Sequence, residues 1–91
     1  MARNPEAALK WMLAAAKQGH ALAQHGMGFM YLEGECVPKD GAQAAHWFKL
    51  AAEQGLAGSL TTLAMMYEQG NGVPQDLQEA NRLYSLAGFD R

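Results

Sequence analysis

Residues Tyr31 to Asp40 read Y-L-E-G-E-C-V-P-K-D, and thirty-six residues later Tyr67 to Asp76 read Y-E-Q-G-N-G-V-P-Q-D. A segment that ends one apolar helix pattern and opens the next at a fixed period specifies a stacked array of helical units. Each unit buries its face against its neighbours, and no single core closes on itself. Aligning residues 21–55 with 57–91 leaves ten identities: Ala21, Met30, Tyr31, Gly34, Val37, Pro38, Asp40, Ala44, Leu50 and Ala51. Most of them fall at turns or at apolar helix positions, where units that stack must be alike.

The apolar residues are mostly alanine with few β-branched side chains, which favours closely packed helices over sheet and makes the chain all-α. Five helices are expected. The first opens at Asn4-Pro5-Glu6, with Asn4 as cap, and runs to about Gln18. Ala8, Trp11, Met12 and Ala15 form its apolar stripe and Gly19 its stop. A second runs from Ala21 to about Glu33, with Ala23, Met27, Gly28 and Tyr31 on one side. Its small residues Ala23, Gly26 and Gly28 admit another backbone closely. Val37 is expected to bury against the helix pair while Pro38 stops the helix from continuing. Asp40 with Gln43, and Asp76 with Glu79, have the spacing of a capping box. The third helix, about 41–54, repeats the first stripe as Ala44, Trp47, Phe48 and Ala51. The fourth, about 58–69, repeats the second, and the fifth, about 77–87, carries Ala80, Leu83, Tyr84 and Ala87. The tryptophans and Tyr31 and Tyr67 recur at the repeat spacing, so they read as core, and Trp47→Ala is expected to cost about 3–5 kcal/mol.

These residues resemble the Sel-one-like repeat family, a branch of the tetratricopeptide-like helical repeat proteins. The family pattern places Y-x-x-G-x-G-V-x-x-D after alanine and glycine in a first helix, then K-A-x-x-W-Y-x-x-A-A-x-x-G. It falls on Ala21, Ala23, Gly28, Tyr31, Gly34, Val37, Asp40, Ala44, Trp47, Phe48, Ala51, Ala52 and Gly55, and again on Ala57, Leu63, Ala64, Tyr67, Gly70, Gly72, Val73, Asp76, Ala80, Tyr84 and Ala87. The resemblance implies a right-handed α-solenoid of antiparallel helix pairs, about two and a half repeats in five helices. Residues 1–20 form the second half of a truncated repeat, 21–56 a full repeat and 57–91 a final one, within a single domain. Two positions depart from the pattern: Cys36 replaces the second loop glycine, and Leu83 replaces the aromatic of Trp11 and Trp47. The first disfavours the positive φ of that turn, and the second implies a looser terminal unit.

The resemblance also implies an interaction scaffold or adaptor without enzymatic activity. Some relatives are cysteine-rich proteins associated with β-lactam binding or hydrolysis, with a disulfide in each repeat. This chain has one cysteine, so a hydrolase is the least favoured reading. The residues agree. Ser59 aligns with a packed alanine, Ser85 lies late in a helix, and Cys36 has no glycine-framed motif or neighbouring helix start to activate its thiol. His20, His25 and His46 make no metal-ligand spacing, and Glu33, Glu35 and Asp40 lack the alternation of a calcium loop, so no cofactor, metal or catalytic residue is expected. A net charge of −2 without a basic stripe argues against nucleic acid and against an anionic membrane surface. With no membrane-length apolar run and no leader-like start, a soluble chain is expected, with the cytoplasm favoured.

A protein or peptide partner remains. In stacks of this type the first helix of each pair lines the concave side, so the positions free of the scaffold pattern are Leu22, His25, Phe29, Met30 and Glu33, matched by Gly58, Thr61, Met65, Met66 and Gln69. Phe29, Met30, Met65 and Met66 are apolar where the scaffold does not require it, as suits a groove for a helix or an extended peptide. The alternative for each is packing between repeats. A second reading is a self-assembling structural module, since two and a half repeats leave apolar ends uncapped and a homo-oligomer would cover them.

Overall fold

The computed structural model describes residues 5–88. Five helices follow one another: α1 (Pro5–Lys17), α2 (Ala21–Glu33), α3 (Gly41–Glu53), α4 (Ala57–Gln69) and α5 (Leu77–Leu86), with no strand among the described residues. Each packs against the next in a body of 43 × 23 × 22 Å, so this is an α-solenoid of antiparallel pairs. The expected cap Asn4 lies outside the described residues.

The repeated segment works in the same way at both of its sites. Gly34 and Gly70 take left-handed φ of 75° and 68°, and each turns its N–H back to a methionine carbonyl, Met30 and Met66 respectively. The next amides, Glu35 and Asn71, bond to the same two carbonyls at 2.9 Å. Asp40 Oδ1 accepts from the Ala42 and Gln43 amides, and Asp76 Oδ1 from the Glu79 amide. The box is nonetheless only half used. The amides of Asp40 and Asp76 donate to the Tyr31 and Tyr67 carbonyls at 2.9 Å, so the Gln43 and Glu79 side chains have no orphan donor to meet. The Glu79 carboxylate instead holds Arg82 one turn on. Val37 and Val73 are half-buried as expected. Cys36 keeps a positive φ of 65°, so the turn survives the loss of glycine.

Burial is concentrated where three helices meet. The core joins Ala44, Ala45, Phe48, Leu60, Leu63, Ala64, Met66, Ala80, Leu83 and Tyr84. Leu83 is 3% exposed, so the terminal unit is filled rather than loosened by leucine at this position. The glycines of α2 admit side chains and not a backbone. A Cβ built on Gly28 would lie 2.8 Å from the Phe48 ring, and one on Gly26 would lie 2.6 Å from the Met12 sulfur. Backbones do touch at Gly41 and Gly72, where the start of α3 meets the loop after α4.

The stripe of α1 departs from expectation. In α3 its members Ala44, Phe48 and Ala51 are fully buried, yet in α1 Ala8 is exposed, Met12 and Ala15 are half-buried, and Trp11 is 72% exposed. α1 buries Ala16 instead, against α2. The reason is positional: α2 closes over the stripe of α3, whereas Met12 of the α1 stripe meets Gly26 of α2 and is only half-covered. Trp47 is only half-buried, which lowers the cost expected for its loss. Phe48→Ala should cost about 3–5 kcal/mol, Trp47→Ala clearly less, and Trp11→Ala should stay within about 0.5 kcal/mol of wild type, all read by urea unfolding.

Candidate functional site

The first-helix positions singled out above differ in burial. Leu22, at 75% exposure, and Met65, at 43%, stand open to solvent, as do Glu33 and Gln69. Leu22, Phe29 and Glu33 follow one face of α2, and Thr61, Met65 and Gln69 one face of α4. Thr61 is half-buried and turns its hydroxyl inward to the Ala57 carbonyl at 3.0 Å. Met66 is a correction: at 3% exposure it belongs to the core and is withdrawn from any contact surface. Its counterpart Met30, thirty-six residues earlier, is half-buried.

His25 and Phe29 have gone into the junction between repeats. The imidazole Nδ1 and the Ser59 hydroxyl share a 2.6 Å hydrogen bond between α2 and α4. His25, Phe29 and Phe48 form a triangle of edge-on rings with centroids 4.9, 5.4 and 5.0 Å apart. Gln24, which the stripe pattern did not single out, is 5% exposed. Its amide donates to the Ala16 carbonyl, and its oxygen accepts from Gln54, which also donates to the Gly19 carbonyl. This one side chain ties α1, α2 and the end of α3 together with its polar atoms satisfied. A polar residue on an apolar stripe, paired with a glutamine thirty residues on, carries no pattern that spacing could reveal.

A serine beside a histidine resembles part of a hydrolytic site, but the geometry gives it a packing role. Ser59 is 0% exposed, so no substrate reaches its oxygen. Among the described residues no group of three metal-ligating side chains converges, and Cys36 is an exposed free thiol. Among the described residues no helix is long and apolar enough to cross a membrane.

An open apolar concavity lies to one side of these positions, with Leu22 on its border. It is a groove of about 600 Å³ between α1 and α2, bordered by Trp11, Met12, Ala15, Gln18, Leu22 and Ala23. Spacing alone pointed away from it, because Trp11 and Met12 share the periodicity that buries Trp47 and Phe48.

With this geometry in view, the comparisons are decisive. The Sel1 repeat profile matches residues 1–20, 21–56 and 59–88, nearly the whole chain. The chain belongs to the Sel1 repeat family. Sel1 repeat proteins are in general protein-interaction scaffolds, mainly without catalysis. Among solved structures it is similar to a protective antigen of uropathogenic Escherichia coli strains with an SLR fold, at 42% identity and a TM-score of 0.87 over 89% of this chain and 17% of that one. It is also similar to a Sel1 repeat protein from Oxalobacter formigenes, at 39% identity and a TM-score of 0.86 over 88% of this chain and 61% of that one. Cysteine rich protein B of Helicobacter pylori shares the fold, at 20% identity and a TM-score of 0.91 over 94% and 65%. The chain thus spans less than two thirds of the length of each. No curated protein matches it.

Burial lowers the His25 pKa below its ordinary 6.5, because the charged imidazolium loses water among Phe29, Phe48 and Ser59. Above pH 6.5 the imidazole is neutral in both folded and unfolded chains. As pH falls through 6.5 the unfolded chain takes up a proton that the folded chain resists, so stability declines until the lower folded pKa is passed. The melting temperature should therefore fall between pH 7.5 and 5.5. The slope should flatten in His25→Thr, which installs the residue found at the equivalent position 61.

Proposed function

We propose that this Sel1 repeat chain is an adaptor that binds a peptide or protein segment along the concave face formed by α2 and α4. The observation that carries the reading is Met65. It is 43% exposed on a helix whose other large apolar side chains, Leu60, Leu63 and Met66, are all buried, so the scaffold leaves it free. Met65 occupies the position of Phe29, and the two helices lie side by side through the His25–Ser59 bond. A partner crossing them would meet a flexible thioether and the accessible part of an aromatic ring, with Glu33 and Gln69 at one border to fix its polar groups. His25 then acts beneath that surface, holding the two helices in register through Ser59, while Thr61 bonds within α4, and Met30 and Phe29 contribute only their half-exposed edges.

The pairing of an adaptable apolar centre with a polar border suits an amphipathic helix or an extended segment with spaced apolar anchors. The test is a pull-down from the source cell's lysate with the native chain and with a Met65→Glu, Glu33→Lys variant. Both substituted positions are substantially exposed, so the variant should keep the native circular dichroism spectrum. A protein held by the native chain and lost by the folded variant is the expected result. Equal capture by both chains, or by neither, would remove the α2–α4 face from consideration.

A further inference from the structure

The helices α3 and α5 both pack on α4, and between the three lies a hollow of about 140 Å³ floored by Ala52, Leu60, Leu63 and Leu83. These floor residues are buried, so the hollow is shaped by the core itself. Leu60, Leu63 and Tyr67 reach it from α4 at i, i+3 and i+7, on the face of that helix opposite Thr61, Met65 and Gln69. The hollow is therefore separate from the concave face and independent of the function proposed for that face.

One repeat earlier the same places are held by other residues. Gln24 stands for Leu60, with its amide turned to the Ala16 carbonyl, and Trp47 stands for Leu83, half-buried and edge-on to His46. Leu83 lacks the six-membered ring that the Trp47 indole carries. The hollow it borders has the size to hold one such ring, since an apolar cavity of about 150 Å³ takes a benzene.

The mouth is charged on both sides. Lys49 and Glu53 border it one turn apart on α3, and Glu79 and Arg82 border it on α5. Arg82 is engaged by Glu79 through hydrogen bonds of 2.8 and 2.6 Å, whereas among the described residues Lys49 and Glu53 form no salt bridge. Arg82 first, and the Lys49 charge in smaller measure, hold the Glu79 carboxyl below its ordinary pKa, which places the lysine within reach of α5 across the mouth. At the earlier junction these positions are Leu13, Lys17, Gln43 and His46, so the opposed charges belong to this cleft and not to the repeat pattern.

We propose that the cleft between α3, α4 and α5 binds free phenylalanine, with its ring in the hollow, its carboxylate at Lys49 and its ammonium at Glu53. A zwitterion matches a mouth that offers one free charge of each sign, whereas a phenylalanine within a polypeptide would present neutral amides there. Tyrosine would carry its hydroxyl onto a floor of leucine and alanine, and the indole of tryptophan exceeds the single ring that fits.

The test is a titration of L-phenylalanine into the intact chain, followed by the backbone amide resonances of α3 and α5. Saturable shifts are expected at Ala52, Glu53 and Leu83, with a Kd on the order of 1 mM. Phenethylamine, without the carboxylate, and hydrocinnamate, without the ammonium, should each bind about threefold to tenfold more weakly. Lys49→Gln, at an exposed position, should weaken phenylalanine by the same factor and leave phenethylamine unchanged. Leu83→Trp, which introduces the ring carried by Trp47, should abolish binding, and Lys49→Gln keeps the test decisive should that indole prevent folding. Three results would overturn the proposal: no saturable shift in α3 and α5, N-acetyl-phenylalaninamide binding as tightly as the free amino acid, or Lys49→Gln weakening phenylalanine and phenethylamine alike.

Discussion

The fit of α2 into the groove between α3 and α4 is the contact on which the rest of the stack depends. It is a steric arrangement before it is anything else. The Phe48 ring lies where a side chain on Gly28 would be, and the space is so closely filled that the ring is fully buried. Removing the Cβ at Gly28 costs about 1 kcal/mol in helix propensity, which the closer approach of ring to backbone must offset through dispersion and burial. Polar contacts then set the register around this apolar centre. His25 reaches across to Ser59, and Gln24 and Gln54 join the first turn to the third helix. Each of these groups is satisfied, so the polar atoms add specificity without leaving an unpaired buried charge.

Most of the fold was legible in the residues. The thirty-six-residue period, the left-handed glycines at 34 and 70 and the caps at Asp40 and Asp76 are local signals, each with its own backbone mechanism, and the helix bounds follow from them to within a residue or so. What periodicity could not supply was the set of neighbours. Trp11 and Trp47 are identical by pattern, yet one is exposed and the other half-buried, because burial depends on which helix lies opposite. The same limit applies to Leu83, whose departure from the aromatic pattern suggested looseness and which proves well packed.

The candidate surface was legible only in part, for a related reason. Residues on the first helix that the pattern leaves free can point outward or into the junction with the next repeat, and both occur. Leu22 and Met65 are outside, Met66 is inside, and His25 and Phe29 knit the junction. A repeat of nearly constant backbone thus carries two kinds of variable position: some tune how neighbouring units meet, and others are left for a partner. The substitution of Gly58 and Ser59 for Leu22 and Ala23 belongs to the first kind, matched to the histidine that α2 presents.

The account's central claim, that the ring of Phe48 over Gly28 holds the junction, is tested most directly by a double-mutant cycle in urea. Gly28→Ala alone should destabilise the chain by about 1–3 kcal/mol, overpacking outweighing the gain in helix propensity. In a Phe48→Met background, where the thioether can move aside, the same substitution should be neutral or stabilising, so that the two changes couple strongly. If Gly28→Ala instead stabilises both backgrounds equally, the glycine is not there for the ring, and the junction rests on something else.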